Sequence, residues 1–109
     1  LWIKVDENNR IFVEGELSEE NAVEFEADFR ALPLESAGTI ILDMSAFDIA
    51  DGIGIATAIN MLRYLLERGE KLIIIAAPQL LAHNLYRVGM LEANSRIALL
   101  AMREEEPYG

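Results

Sequence analysis

Two short runs of nearly unbroken aliphatic residues, Thr39-Ile40-Ile41-Leu42-Asp43 and Lys71 to Ala77 (KLIIIAA), constrain this chain more than any other feature. Each is far below the roughly 18 residues of a membrane span. Each has the length and branched-residue content of a strand buried on both faces. Between them lies a segment with helical spacing. Asp51 stands as its N-cap, and Ile53, Ile55, Ala56, Ile59, Leu62, Leu65 and Leu66 supply its apolar positions. The spacing predicts a helix over Gly52 to Arg68, stopped by Gly69. Strand, helix and strand in this order make a parallel βαβ unit with a right-handed crossover.

The flanking segments extend the pattern. Leu1 to Val5 and Ile11 to Glu16 are β-rich and separated by Asp6-Glu7-Asn8-Asn9-Arg10, whose Asn residues tolerate left-handed turn conformations. They read as a hairpin. Ser18 is placed as a helix N-cap ahead of Glu19 and Glu20. Ala22, Phe25, Phe29 and Leu32 then recur at helical spacing, and Pro33 stops that helix near Leu32. A turn at Ser36-Ala37-Gly38 leads into the first aliphatic run. Pro78 suits the first turn of a third helix, with Leu81, Leu85 and Val88 inward and Gly89 as its stop. Arg96 to Leu100 is a last short strand, and residues 102–109 form a polar acidic tail containing Glu104-Glu105-Glu106. The order is ββαβαβαβ, an α/β fold in which an N-terminal hairpin makes an otherwise parallel sheet mixed. Residues 1–109 are read as one domain, since domains commonly run to about 100–150 residues.

Charge narrows the partners. The 109 residues carry 19 Asp and Glu against 9 Lys and Arg, a net charge of −10. Such a surface repels phosphate backbones and anionic lipid, so nucleic acid and membrane surfaces are poor partners and a basic protein surface is a better one. No Cys is present, which removes disulfides, thiolate nucleophiles and Cys-ligated metals and fits a reducing compartment. The N-terminus has no basic segment followed by an apolar stretch, so a cytoplasmic location is expected. The chain does not start with Met, which allows it to be part of something longer.

Few residues can do chemistry. His83 is the single His, and base catalysis requires partners that the neighbouring sequence does not supply. Ser18, Ser36, Ser45 and Ser95 fall at expected caps and turns, none in a G-x-S-x-G elbow. Asp43, Asp48 and Asp51 gather near the end of a parallel strand, where a cation such as Mg²⁺ would find oxygen ligands, yet capping and solvation account for them more simply. The turn Asp51-Gly52-Ile53-Gly54 opens a helix and has free amides for an anion, but it lacks a P-loop Lys, and Asp51 would repel a phosphate. The chain is read as a non-enzyme with no metal and no cofactor.

Residues 39–69, TIILDMSAFDIADGIGIATAINMLRYLLERG, resemble the central motif of STAS domains, the family of bacterial anti-sigma factor antagonists. There, a strand ending L-D-L-S leads to D-S-S-G-L-G at a helix start, and the helix ends in R-G before the next strand. Here Leu42-Asp43-Met44-Ser45 resembles the first element and Asp51-Gly52-Ile53-Gly54-Ile55-Ala56 falls without a gap on the second. Leu66-Glu67-Arg68-Gly69, Gly15-Glu16-Leu17 and Val88-Gly89-Met90-Leu91 resemble the helix end, the early G-E-L-D and the late T-G-L segment. The resemblance implies a STAS-type mixed sheet of about 4–5 strands with helices packed mainly on one side. It also implies a regulatory module that docks through the start of the central helix.

In the family's sigma-factor pathways the partner is an anti-sigma factor kinase that phosphorylates the first Ser of D-S-S-G. The added charge, roughly −1.5 to −2, breaks the complex. Here the gapless register puts Gly52 at the phosphoacceptor position and Ile53 at the second hydroxyl position. A two-residue shift puts Ala50 and Asp51 there instead. Neither register offers a hydroxyl, so regulation by phosphorylation at this position is not expected. Ser45 and Thr57 are the nearest hydroxyls and have ordinary structural readings. The docking surface is assigned to Asp48, Ile49, Ala50, Asp51, Gly52, Ile53 and Gly54, with Thr57 and Asn60 on the following helix. The alternative implied by the family is a STAS subunit or tail of a membrane transporter, bound to an ABC-type lipid-transport ATPase or belonging to an anion transporter. The apolar N-terminal run containing Trp2 can pair as an edge strand, which allows a homodimer.

Overall fold

The computed structural model describes residues 1–35, 37–92 and 95–103. The acidic run Glu104–Glu106 and Ser36 lie outside the described residues. The elements are β1 (Trp2–Val5), β2 (Arg10–Leu17), α1 (Ala22–Arg30), β3 (Ala37–Ile49), α2 (Gly52–Leu66), β4 (Gly69–Ile75), α3 (Gln79–Arg87) and β5 (Ile97–Leu100). This is the expected ββαβαβαβ order.

The hairpin forms as its sequence dictates. Asp6 Oδ1 accepts the backbone N–H groups of Asn8 and Arg10, and Asn9 takes the left-handed conformation with φ 60°. β1 pairs antiparallel with β2, and β2, β3, β4 and β5 pair in parallel in that spatial order. Every crossover therefore steps one strand in the same direction. Crossovers of one hand taken in one direction put all their helices on one face of the sheet.

That geometry overturns one expectation. The aliphatic runs are buried on one face, not two. Ile40, Leu42, Met44, Leu72 and Ile74 lie at 0–1% exposure under the helices, whereas the alternating Ile41, Ile73 and Ile75 are only partly covered. An unbroken aliphatic run carries no record of whether a second layer will cover its far side.

The core is aromatic on the α1 side. Phe25 packs edge-on to Phe29 at 5.7 Å between centroids and stacks on Phe47 of β3 at 6.2 Å. Phe29 meets Tyr64 of α2 at 5.6 Å, and the Tyr64 hydroxyl donates to Arg30 O at 3.1 Å. Arg30 and Arg68 flank the Tyr64 ring, closing the bottom of the α1–α2 contact.

Several element ends differ from the sequence reading. Ser18 does not cap α1. Its hydroxyl serves the Glu20 N–H inside a preceding turn, and the helix begins after Asn21, whose side chain folds back to Ser18 N and Glu16 O. α1 stops at Arg30, before the reach of Pro33. β3 is longer at both ends than Thr39–Asp43, and Ala37-Gly38 belong to it instead of a turn. α2 ends at Leu66, and Gly69 opens β4 with no positive φ. Pro78 is the N-cap of α3, one residue before its first turn. Gly89, with φ 78°, does stop α3, but Val88 is exposed, and Ala82 joins Leu81 and Leu85 on the buried side.

Candidate functional site

β3 outruns β4. Its pairing with β4 ends at Asp43, while its pairing with β2 continues to Ile49. The last turn of β3 thus has one edge without a strand, and the chain bends there into α2. Ala50 N donates to Leu17 O at 2.9 Å, which holds the bend against the end of β2.

Asp51 builds the corner. Its backbone is extended (φ −154°, ψ 178°), and its two carboxylate oxygens serve different segments. Oδ1 accepts from Gly54 N at 2.8 Å, capping α2, and Oδ2 accepts from Glu19 N at 2.9 Å, tying in the β2–α1 loop. The Glu19 and Gly54 amides hold this carboxyl below the usual carboxylate range. The expected capping role is therefore observed, and the same oxygen occupies the Gly54 amide that an anion would have needed.

The two glycines of the turn have opposite surroundings. A Cβ on Gly52 would meet nothing within 4 Å. A Cβ on Gly54 would lie 2.7 Å from both Ile49 Cγ2 and Leu17 O. Gly54 thus lets α2 sit directly on the ends of β2 and β3, while Gly52 leaves an open spot at the helix start. Ile53 beside it is 51% exposed, so it faces solvent and does not enter the core.

Of the assigned surface residues, Asp48, Ala50, Gly52 and Ile53 are exposed at the start of α2, whereas Asn60, also exposed, lies more than two turns along the helix near Arg63 and Tyr64 and is corrected from the corner. Asp51 is partly exposed, and Ile49 packs partly against the core. Gly54 and Thr57 are buried, and the Thr57 hydroxyl donates to Ile53 O at 2.8 Å. Thr57 therefore presents no surface and is corrected from a contact residue to a residue that bonds back onto its own helix. Ser45 is exposed and donates to Asp43 Oδ1 at 2.6 Å; this bond, followed by the Arg10 contact, lowers the Asp43 carboxyl. Asp43, Asp48 and Asp51 each have separate partners, and among the described residues no group of three potential metal ligands comes together. His83 is exposed on α3.

Two neighbours escaped the sequence reading. Ala56 is exposed on the same helical face as Gly52 and Asn60, at spacings of four that could have identified it. Arg103 had no local signal at all. After β5, Ala101 turns the chain with φ 51°, and Arg103 returns to the unpaired edge of β3. Its guanidinium donates to Met44 O, Phe47 O and Ala76 O (the last at 2.9 Å) and pairs with Asp48 at 2.8 Å. It satisfies carbonyls that an adjacent strand would otherwise have served. An Arg103→Ala variant should fold but loosen the β3–α2 bend. Hydrogen exchange at the Ala50 amide should rise about tenfold or more, the equivalent of roughly 1.4 kcal/mol of local opening. Unchanged exchange there would remove this role.

No described helix is long and apolar enough to cross a membrane. No curated protein sequence matches the chain. A family model for the STAS domain matches residues 3–104. The match spans the hairpin, the parallel sheet, the three helices and the Asp51 corner, so the chain belongs to the STAS domain family, whose members are regulatory protein-interaction modules.

Proposed function

We propose that this domain is a non-enzymatic regulator of the anti-sigma factor antagonist type, which docks on a protein partner through the start of α2. The observation that carries this reading is the open corner at Gly52 and Ile53. There, an exposed apolar side chain and a bare backbone stand beside the carboxylates of Asp48 and Asp51. An apolar centre with acidic neighbours suits a partner that brings an apolar contact and basic side chains.

In the gapless register Gly52 takes the phosphoacceptor position, and in either register a family glycine falls on Gly54, where the helix touches Ile49 and Leu17. The space at Gly52 would accept a serine, so packing is not what excludes a hydroxyl there. The domain would then dock without the usual phosphate switch. That same property favours, as a second reading, a transporter-associated STAS subunit or tail, in which docking need not be reversed by phosphorylation.

Affinity capture with the parent chain, followed by identification of the bound protein, tests both. A kinase or phosphatase of the sigma-regulatory type supports the first reading, and a transport ATPase or membrane transporter supports the second. A Gly52→Arg variant should lose the captured partner while melting like the parent, because its side chain projects into open space. Retained capture by the folded variant would refute this surface.

A further inference from the structure

The last turns of α2 carry a cluster of cations that the docking corner does not use. Arg30, Asn60, Arg63, Tyr64 and Glu67 line a groove of about 200 Å³ between the end of α1 and the end of α2. We propose that this groove is a second protein-docking site, in which Arg30 and Arg63 receive an Asp or Glu carboxylate from an acidic segment of a partner.

The arginines are held in place while their donors stay unused. The Arg30 and Arg68 guanidiniums lie 5.3 and 4.6 Å from the Tyr64 ring centroid, and Arg30 lies 5.6 Å from that of Phe29. Tyr64 is itself fixed, since it is buried and its hydroxyl donates to Arg30 O. A guanidinium that rests its face on an aromatic ring keeps its N–H donors at the rim, where they match a carboxylate. Acids outnumber cations by 19 to 9 in this chain, yet Arg63 and Arg68 have no ion pair among the described residues. Arg30 has one, to Glu26 at 3.6 Å between half-exposed side chains. Such a pair is weak, and an incoming carboxylate can replace it.

The helix dipole accounts for part of this pattern but not for the groove. Each helix has an arginine in its last turn, namely Arg30, Arg63 and Arg87. Arg30 and Arg63 come together from two helices over one ring system, whereas Arg87 lines a different hollow with Glu92. Charge then sets the occupant. The guanidiniums of Arg30, Arg63 and Arg68 against the carboxylates of Glu26 and Glu67, three against two, leave an excess of one positive charge. One carboxylate matches that excess. A phosphate dianion would meet the same resident carboxylates with twice the charge. The net charge of −10 also keeps nucleic acid and anionic membranes away. A protein segment presents single carboxylates on a backbone, which arginine clusters recognise through charge-assisted bonds. The groove lies at the opposite end of α2 from Gly52 and Ile53, so it leaves the corner free for a basic partner.

Titration of the full chain with a blocked glycine–glutamate–glycine peptide, followed by NMR of the backbone amides and arginine Nε–H groups, tests the proposal. The Nε–H groups of Arg30 and Arg63 should shift together with the amides of residues 60–67. Arg63→Gln should weaken binding about tenfold, the effect of losing one charge-assisted hydrogen bond. Glu26→Gln, which releases Arg30, should strengthen it severalfold. Arg87→Gln should leave it unchanged. Arg63 and Arg87 are exposed and Glu26 is partly so, and the amide spectrum of each variant checks its fold. Inorganic phosphate at the same concentration should shift these groups less than the peptide does. No shift in the groove, or equal shifts at Arg87, overturns the proposal. So does an affinity that Arg63→Gln or Glu26→Gln leaves unchanged, or a preference for phosphate over the peptide.

Discussion

A Phe25→Ala variant should lose about 3–5 kcal/mol of stability, the range for truncating a fully buried phenylalanine. Phe25 is 1% exposed and touches both Phe29 in its own helix and Phe47 in β3, so no neighbour can collapse into the vacancy without breaking another ring contact. A domain of this size has about 5–15 kcal/mol in total, so the loss is a large part of it. The expected readout is a fall of about 15 °C or more in Tm, with the denaturant midpoint lowered in step. Val23→Ala, two residues earlier on the exposed side of the same helix, should stay within about 0.5 kcal/mol of the parent. Similar losses at the two positions would mean that α1 does not pack as described. The consequence reaches the docking corner, because Phe47 precedes Asp48 directly and anchors the end of β3.

Gly54→Ala should destabilise the domain by about 2–3 kcal/mol, against the usual direction for glycine in a helix. Alanine at an ordinary helix position gains about 1 kcal/mol over glycine. Here the added Cβ would stand 2.7 Å from Leu17 O, a backbone atom that already accepts from Ala50 N at 2.9 Å. Relief requires moving either α2 or the bend, and both moves strain the Asp51 contacts to Gly54 and Glu19. The steric term therefore exceeds the propensity gain. Two residues earlier, Gly52→Ser should fall within about 0.5 kcal/mol of the parent, since its Cβ meets only open space. Thermal unfolding of the two variants side by side checks the contrast. Equal melting temperatures would mean that α2 does not seat on Gly54.

Much of the architecture is legible in the residues. The Asn-containing turn, the helical spacing of Phe25 and Phe29 and the aliphatic runs around Ile41 and Ile74 suffice for the element order and the mixed sheet. Local chemistry acts within a few residues and leaves its mark there. Asp51 is read correctly as a cap because a cap is a bond between near neighbours. Ser18 is misread for the same reason. Its hydroxyl has a local partner in the Glu20 amide, but whether the helix starts at that turn or at the next one depends on where Asn21 finds its carbonyl and amide partners.

The candidate corner divides along the same line. Its position after β3 follows from the D-G-I-G turn and from the resemblance that turn carries. Which residues face outward does not. Thr57 lies one turn beyond Ile53 on the same helical face, yet Thr57 is buried and Ile53 exposed, so the cover differs along the length of α2, which sequence spacing does not encode. Arg103 joins Met44, Phe47 and Asp48 across more than fifty residues of chain, and no periodicity encodes such a contact.

The sequence by itself determined the order of strands and helices, the charge of −10, the absence of thiol chemistry and the missing hydroxyl at residue 52. These depend on residue identity and on interactions a few residues long. The tertiary structure alone decided that all three described helices lie on one face of the sheet, that Gly54 and not Gly52 bears the helix contact, and that Arg103 bonds to the edge of β3 beyond Asp43. Each of these depends on the direction in which successive crossovers step across the sheet, and that direction is settled only when all the elements pack against one core.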